Sequence, residues 1–232
     1  MKKQVPGVRC RVLGFLLLSL CAASLAAQVA SKANEGYKTP EGRESVAKTL
    51  SAPDRDEKQK PGELVEAMSL KPGMVVADIG TGTGYMLPYL SRAVGPQGRV
   101  LGEDIFPDFL EKAKATASQQ KLGNVEFIKG SETDPGLPEN GVDVILGLDT
   151  YHHWDYPEKM LAAVYRELRD EGRLVIVEYY KRPDAMPGGR AMQHIRLDAA
   201  DVIKEIESNH FKLMSQHDHV KGSQYMAVFE KK

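Results

Sequence analysis

The run Val75-Val76-Ala77-Asp78-Ile79-Gly80-Thr81-Gly82-Thr83-Gly84 constrains the fold of this chain more than any other stretch. It reads as a short buried strand, an acidic residue near the strand's carboxyl end, and a glycine loop. Helical sequence follows from Tyr85 to about Val94. Glycine lets such a loop take positive φ and lets backbone close on a ligand. The helix that follows offers unpaired N–H groups to an anionic group. The spacing narrows the ligand. A dinucleotide fold wants G-x-G-x-x-G after its first strand, whereas this loop is G-x-G-x-G. No Lys or Arg lies between Pro72 and Ser91 to meet a diphosphate. Asp78 supplies negative charge instead, which suits a ligand with ammonium and sulfonium groups beside one carboxylate.

That description fits S-adenosylmethionine. The string V-x-D-I-G-T-G-T-G also closely resembles the first motif of the class I S-adenosylmethionine-dependent methyltransferases. The ordering of strands and helices extends the resemblance from roughly Pro61 to the C-terminus. It implies a Rossmann-like α/β fold with a seven-stranded, mostly parallel sheet and helices on both faces. The implied reaction is methyl transfer from S-adenosylmethionine to an unidentified acceptor. Two rivals stand beside it: a non-catalytic S-adenosylmethionine-binding module on the same fold, and a nucleotide-dependent oxidoreductase, which the loop spacing disfavours.

Residues 1–27 read as a secretory signal peptide. Lys2, Lys3, Arg9 and Arg11 are the only charges before Lys32, and an apolar run from Val12 to Ala27 ends in small residues. The run is shorter than the roughly 20 residues of a spanning helix. Export is therefore expected, with an uncleaved N-terminal membrane anchor as the alternative. Both cysteines, Cys10 and Cys21, fall in this head, so the rest of the chain has no thiol chemistry. Residues 28–60 read as a polar linker or lid. Within them, Asp54 to Pro61 resembles an arginine-and-glutamine segment of one exported-looking branch of the family, with Lys58 where a tryptophan is expected.

The methyltransferase domain is assigned to residues 61–232. Strands are expected at Val100 to Ile105, Val125 to Ile128, Val142 to Leu148 and Leu174 to Val177, with closing strands at Phe211 to Val220 and Tyr225 to Glu230. The near-continuous apolar run at Val142 suits a central parallel strand. Between them, Phe109, Ala113 and Ala117 recur at helical spacing. Asp155 with Glu158 reads as a capping box opening a helix that Glu171-Gly172 ends. Asp198 caps a further helix carrying Val202, Ile203 and Ile206. Alternating strands and helices imply a parallel sheet covered on both faces.

The candidate cofactor residues are Asp78, Gly80, Gly82, Gly84, Tyr85, Asp104, Ser131, Glu132 and Asp149. Asp104 ends the second strand about 20 residues past the glycine loop, where a carboxylate can bind both ribose hydroxyls; Glu103 beside it should alternate to the other face. By resemblance, Asp78 and Gly80 line the methionine end, and Ser131 and Glu132 lie near the adenine. The catalytic candidates Tyr151, His152 and His153 follow the central strand, at the topological switch point where ligands bind. A histidine there could take a proton near neutral pH, with His152 ranked slightly ahead of His153. Glu178, Tyr179, Tyr180, His194 and Arg196, in and beyond the loop after the fifth strand, stand where an acceptor could be met.

No metal site is expected. His152, His153 and Asp155 lie close in sequence, and His217-Asp218-His219 puts two imidazoles on one strand face. A zinc site needs three or four converging ligands. The formal net charge of −1 and scattered basic residues give no nucleic-acid footprint. The acceptor is expected to be a small molecule rather than a macromolecule, with membrane contact only through an uncleaved head.

Overall fold

The computed structural model describes Met1 and residues 29–232; the expected signal segment and both cysteines lie outside the described residues. One seven-stranded sheet forms the centre, in the order β3-β2-β1-β4-β5-β7-β6. Its strands are β1 (Val75–Ile79), β2 (Arg99–Asp104), β3 (Val125–Lys129), β4 (Val142–Leu148), β5 (Leu168–Tyr179), β6 (Phe211–Val220) and β7 (Gln224–Lys231). The strands from β1 to β5 pair in parallel, and β7 joins antiparallel to both β5 and β6.

Alternation explains the apolar runs. Val75, Ala77 and Ile79 face one side of the sheet and Val76 the other, and Leu174 and Ile176 oppose Val175 and Val177 in the same way. Both faces are covered, so both sets of side chains are hydrophobic. On one face lie α6 (Pro157–Glu167) and α8 (Ala199–Ser208), contributing Leu161, Val164, Val202 and Ile206. On the other lie α3 (Pro61–Ala67), α4 (Leu87–Val94) and α5 (Pro107–Gln119), contributing Leu64, Leu87, Leu90 and Ala113.

Residues 33–59 are largely helical. A single turn at Ala33–Tyr37 precedes α1 (Pro40–Leu50) and α2 (Arg55–Gln59). This polar stretch has little apolar face of its own and is held from outside. Ala30 N–H donates to Asp155 Oδ1 at 3.0 Å, and Arg43 bonds Asp108 at 2.7 Å. Among the described residues no helix is long and apolar enough to cross a membrane.

Three boundary expectations change. Asp155 does not cap α6, because its carboxylate is used by Ala30 and Asn34, and the helix begins at Pro157 after Tyr156. The same helix ends at Glu167 rather than at Glu171, because Leu168 already enters β5 and pairs with Val142. Helical backbone after the glycine loop starts at Leu87, two residues past Tyr85. Asp198 does sit at the N-cap of α8, but its side chain accepts from Lys181 N–H instead of from the helix.

Candidate functional site

At the carboxyl edge of the parallel strands lies a cavity of about 310 Å³. Since β2 and β3 extend the sheet to one side of β1 and β4 to the other, the cavity sits at the topological switch point, where open α/β sheets bind ligands. Its floor is the loop after β1. Gly80 and Gly82 have φ of 71° and 57°, a region that side chains with a Cβ rarely adopt. A Cβ on Gly80 would also lie 2.4 Å from Thr150 Oγ1, so glycine is needed there for space as well.

Asp104, at the end of β2, accepts from Gly82 N–H at 3.0 Å through Oδ2 and from Phe106 N–H at 2.9 Å through Oδ1. Burial pushes its carboxyl up to about 6, so it is ionised above neutral pH. Glu103 does not alternate away. Its side chain passes over Gly130, reaches Gly80 N–H at 3.2 Å and lines the same cavity as Asp104. A Cβ on Gly130 would overlap its carboxylate, which is why that position is glycine. Burial, then the adjacent Asp104 charge, pushes the Glu103 carboxyl well up.

The opposite wall comes from the end of β4. Asp149 has a positive φ of 52° and accepts from Gln59 Nε2 at 2.6 Å and Gln224 Nε2 at 2.7 Å. Burial, then the nearby Glu178, pushes it to about 7. Arg55 from α2 also lines the cavity; its guanidinium stacks 3.9 Å from the Tyr85 ring centroid and donates to Leu50 O at 2.7 Å. Desolvation lowers the Arg55 pKa, opposed by the charges of Asp149 and Asp78.

Ser131 and Glu132 line the far end of the cavity, where Ser131 Oγ accepts the N–H groups of Thr133 and Asp134 and orders the turn. Three of the other cofactor candidates lie behind this wall. Asp78 accepts from Thr81 Oγ1 at 2.7 Å beneath the loop, and burial pushes it up to about 6. Gly84 packs against α5, where a Cβ would meet the Ala113 backbone at 3.0 Å. Tyr85 points to the lid, its hydroxyl donating to Asp56 at 2.8 Å and its ring carrying Arg55.

The catalytic candidates separate in the same way. Tyr151 is a core residue: it is 1% exposed and its ring lies 4.8 Å from that of Trp154, facing away from the cavity. The expectation that it borders the ligand is corrected, because a single helical turn at Tyr151–His153 sends consecutive side chains in different directions. His153 lines the cavity. Its Nδ1–H donates to Asn34 Oδ1 at 2.8 Å, and its Nε2 faces the Tyr37 hydroxyl at 3.5 Å. His152 stands behind it, buried, with Nδ1 at 2.6 Å from Glu178 Oε2 and Nε2 at 3.1 Å from His194 Nε2. Desolvation, then the two neighbouring imidazoles, holds His153 well below the usual histidine range.

The lid supplies residues that local sequence did not rank. Asn34 and Tyr37 close the cavity beside His153, Arg55 lines it, and Gln59 bonds Asp149. The resemblance of Asp54 to Pro61 to a family segment was the one sequence signal for the latter pair. Glu178 and His194 reach the histidine turn, while Tyr179 touches Gln59 at 3.4 Å. Tyr180 does not reach it, being held by Asp218, and Arg196, paired with Glu205, lies 5.8 Å from the ring centroid of Tyr151 and contacts neither histidine. The His217-Asp218-His219 cluster does not form one face, because an irregularity between Asp218 and Val220 exposes His217 and buries His219 against Gln59 O.

Comparison with known proteins decides the family. Residues 70–232 match the model of a methyltransferase domain. The chain belongs to the class I S-adenosylmethionine-dependent methyltransferase family. A solved SAM-dependent methyltransferase from Aquifex aeolicus superposes on this methyltransferase chain with a TM-score of 0.72 at 29% identity, covering 80% of this chain and 96% of that one. Two curated relatives are the demethylmenaquinone methyltransferase of Lactococcus lactis and the arsenite methyltransferase of Halobacterium salinarum. The first is 33% identical over 107 residues, 46% of this chain and 42% of the relative. The second is 29% identical over 108 residues, 47% of this chain and 28% of the relative. The chain thus spans less than half the length of either of these relatives.

Proposed function

We propose that this protein transfers the methyl group of S-adenosylmethionine to a small-molecule acceptor, releasing S-adenosylhomocysteine. The observation that carries the reading is the shared cavity: the Gly80–Gly82 loop, Asp104 and Asp149 face one space at the switch point of the sheet. Asp104 is suited to the ribose hydroxyls, which donate to an ionised carboxylate. Asp149, held by two glutamine amides, suits the ammonium group, and Arg55 suits the methionine carboxylate. Ser131 and Glu132 fit the adenine end.

The acceptor side is then the wall of Asn34, Tyr37, His153 and Trp154. Methyl transfer is an in-line displacement in which an acceptor lone pair forms the bond to carbon as the carbon–sulfur bond breaks. Holding nucleophile, methyl and sulfur in line supplies a large part of the acceleration. The helical cover over residues 29–59 supports a small acceptor, since a macromolecule would have to displace it. His153 is the imidazole nearest this wall and His152 the one behind it, so His153 takes the leading place among the catalytic candidates.

Calorimetry with S-adenosylhomocysteine, S-adenosylmethionine and NAD, followed by a mass-spectrometric screen of candidate acceptors for added methyl groups, tests the reading. Tight NAD binding without response to either adenosyl ligand refutes the cofactor. Cofactor binding with no methylated product from any acceptor leaves the non-catalytic module as the better account. The basic and apolar head supports export, with retention as a membrane anchor the alternative. Intact-mass measurement on protein recovered from its native host tests this: cleavage between Ala23 and Ala30 is expected, and a cytoplasmic species still beginning at Met1 refutes it.

A further inference from the structure

Next to the cofactor cavity, three imidazoles converge that the methyl-transfer reading does not need together. His152 and His153 come from the turn after β4, and His194 ends the short helix α7 (Ala191–His194) in the loop region beyond β5. One nitrogen from each lies within 4.8 Å of the others. The Nε2 atoms of His152 and His194 are 3.1 Å apart. Two nitrogens bound to one tetrahedral zinc at 2.0–2.1 Å would be spaced by about 3.3 Å, so this pair already has a chelating separation.

The surroundings of two rings follow the pattern of metal-binding histidines, which direct one nitrogen to an oxygen acceptor and leave the other for the ion. His152 Nδ1 is engaged by Glu178 Oε2 at 2.6 Å, and His153 Nδ1 by Asn34 Oδ1 at 2.8 Å. A carboxylate and an amide oxygen are acceptors, so both rings carry their proton on Nδ1 and keep the Nε2 lone pair. Glu178 is further fixed by the N–H groups of His152 and Tyr179. His153 also lines the cavity, so an ion here would have its free coordination position on the acceptor side.

We infer that His152, His153 and His194 form a binding site for a divalent transition-metal ion of the zinc class, with Glu178 and Asn34 as positioning residues. Three neutral imidazoles suit zinc, cobalt, nickel or copper ions and do not suit calcium or magnesium, which take oxygen ligands. The remaining separation closes by rotation of the His153 or His194 ring, and His194, half-buried on a four-residue helix, has room for it. The site gathers ligands from two distant segments of the chain, which is why the sequence shows only its first two members.

The test is metal binding by the full chain, with no cofactor or acceptor present, so its outcome is independent of methyl transfer. Protein freed of metal with a chelator is titrated with Co²⁺, followed by visible absorption and by metal content after gel filtration. One ion per chain with the intense visible bands of a four- or five-coordinate site is expected, displaced by Zn²⁺. His194→Ala should weaken binding at least tenfold, and Glu178→Gln by roughly 10–100-fold, both with far-UV circular dichroism like the parent. His217→Ala should leave affinity unchanged. Absence of a retained ion in the parent protein overturns the inference, whatever the variants do. Equal affinity in His194→Ala, or loss in His217→Ala, overturns it as well, since the ion then sits elsewhere.

Discussion

The two walls of the cavity are built in opposite ways. The part of the wall proposed for the ribose is compact in sequence: Gly80 and Gly82 follow β1 and Asp104 ends β2, paired strands that are neighbours in the chain. The wall proposed for the acceptor draws Asn34 and Tyr37 from the lid and His153 from the turn after β4, with Glu178 and His194 behind it. A wall fixed by adjacent strands inherits its geometry from the ladder of backbone hydrogen bonds. A wall assembled from loops depends on single side-chain contacts, so it can vary while the fold stays the same. The difference teaches where cofactor and acceptor preferences are separately encoded.

The sharpest way to break this division is at Asp104. Asp104→Ala should weaken S-adenosylhomocysteine by about 1.5–3 kcal/mol at pH 8, roughly 10- to 150-fold, the cost of losing hydrogen bonds to a charged acceptor. Calorimetry checks it. Unchanged affinity would mean that the cofactor wall lies elsewhere and that the comparison fails.

Asp78 sharpens the comparison from the side of stability. Its folded pKa of about 6 lies above the ordinary aspartate value. The folded state therefore binds its proton more tightly than the unfolded chain. The stabilisation from this group is present at low pH and is lost as pH rises through about 6. Asp78→Asn removes that loss while keeping an acceptor for Thr81. At pH 8 the variant should be more stable than the parent by about 1–3 kcal/mol, with the gap shrinking toward pH 4. Denaturant melts across this range decide it, and a gap that stays constant or widens on acidification contradicts the assignment.

Gln59 tests whether the lid belongs to the cofactor wall. Gln59→Ala deletes one of the two amide donors to Asp149 and should weaken S-adenosylhomocysteine by about 1 kcal/mol, roughly fivefold. If affinity is unchanged while turnover falls, α2 serves the acceptor instead. The smallest effect is expected at Arg43, whose ion pair with Asp108 is partly exposed. Arg43→Ala should cost no more than about 1 kcal/mol of stability, read as a small drop in melting temperature. A large loss of cofactor binding there would show that closure of α1 is coupled to the far wall.

Much of the cofactor half was readable from local pattern. The G-x-G-x-G loop and an acidic residue at the end of the second strand are short-range features, and strand geometry carries them to the same edge of the sheet. Glu103 escaped that logic because alternation describes where a side chain leaves the backbone, not where a long one ends. Tyr85 and Gly84 follow the loop in sequence, yet one serves the lid and the other helix packing. Asp155 looked like a capping residue because Glu158 stands three positions on. The structure gives it to Ala30 and Asn34, partners more than a hundred residues away.

By itself the sequence determined the alternation of strands and helices, the identity of the glycine loop and the place of the Asp104 carboxylate at the end of β2. Each follows from periodicity, from backbone freedom at glycine, or from a carboxylate placed at a strand end. Only the tertiary structure decided which of two adjacent histidines meets the cavity and that Tyr151 turns into the core. It also brought Arg55, Gln59 and His194 to the site from segments where the sequence offered only a family resemblance or a loop position. The physical reason is that a helical turn points consecutive side chains apart. Contacts between distant segments are selected by packing and buried hydrogen bonding, neither of which leaves a periodic trace in the chain.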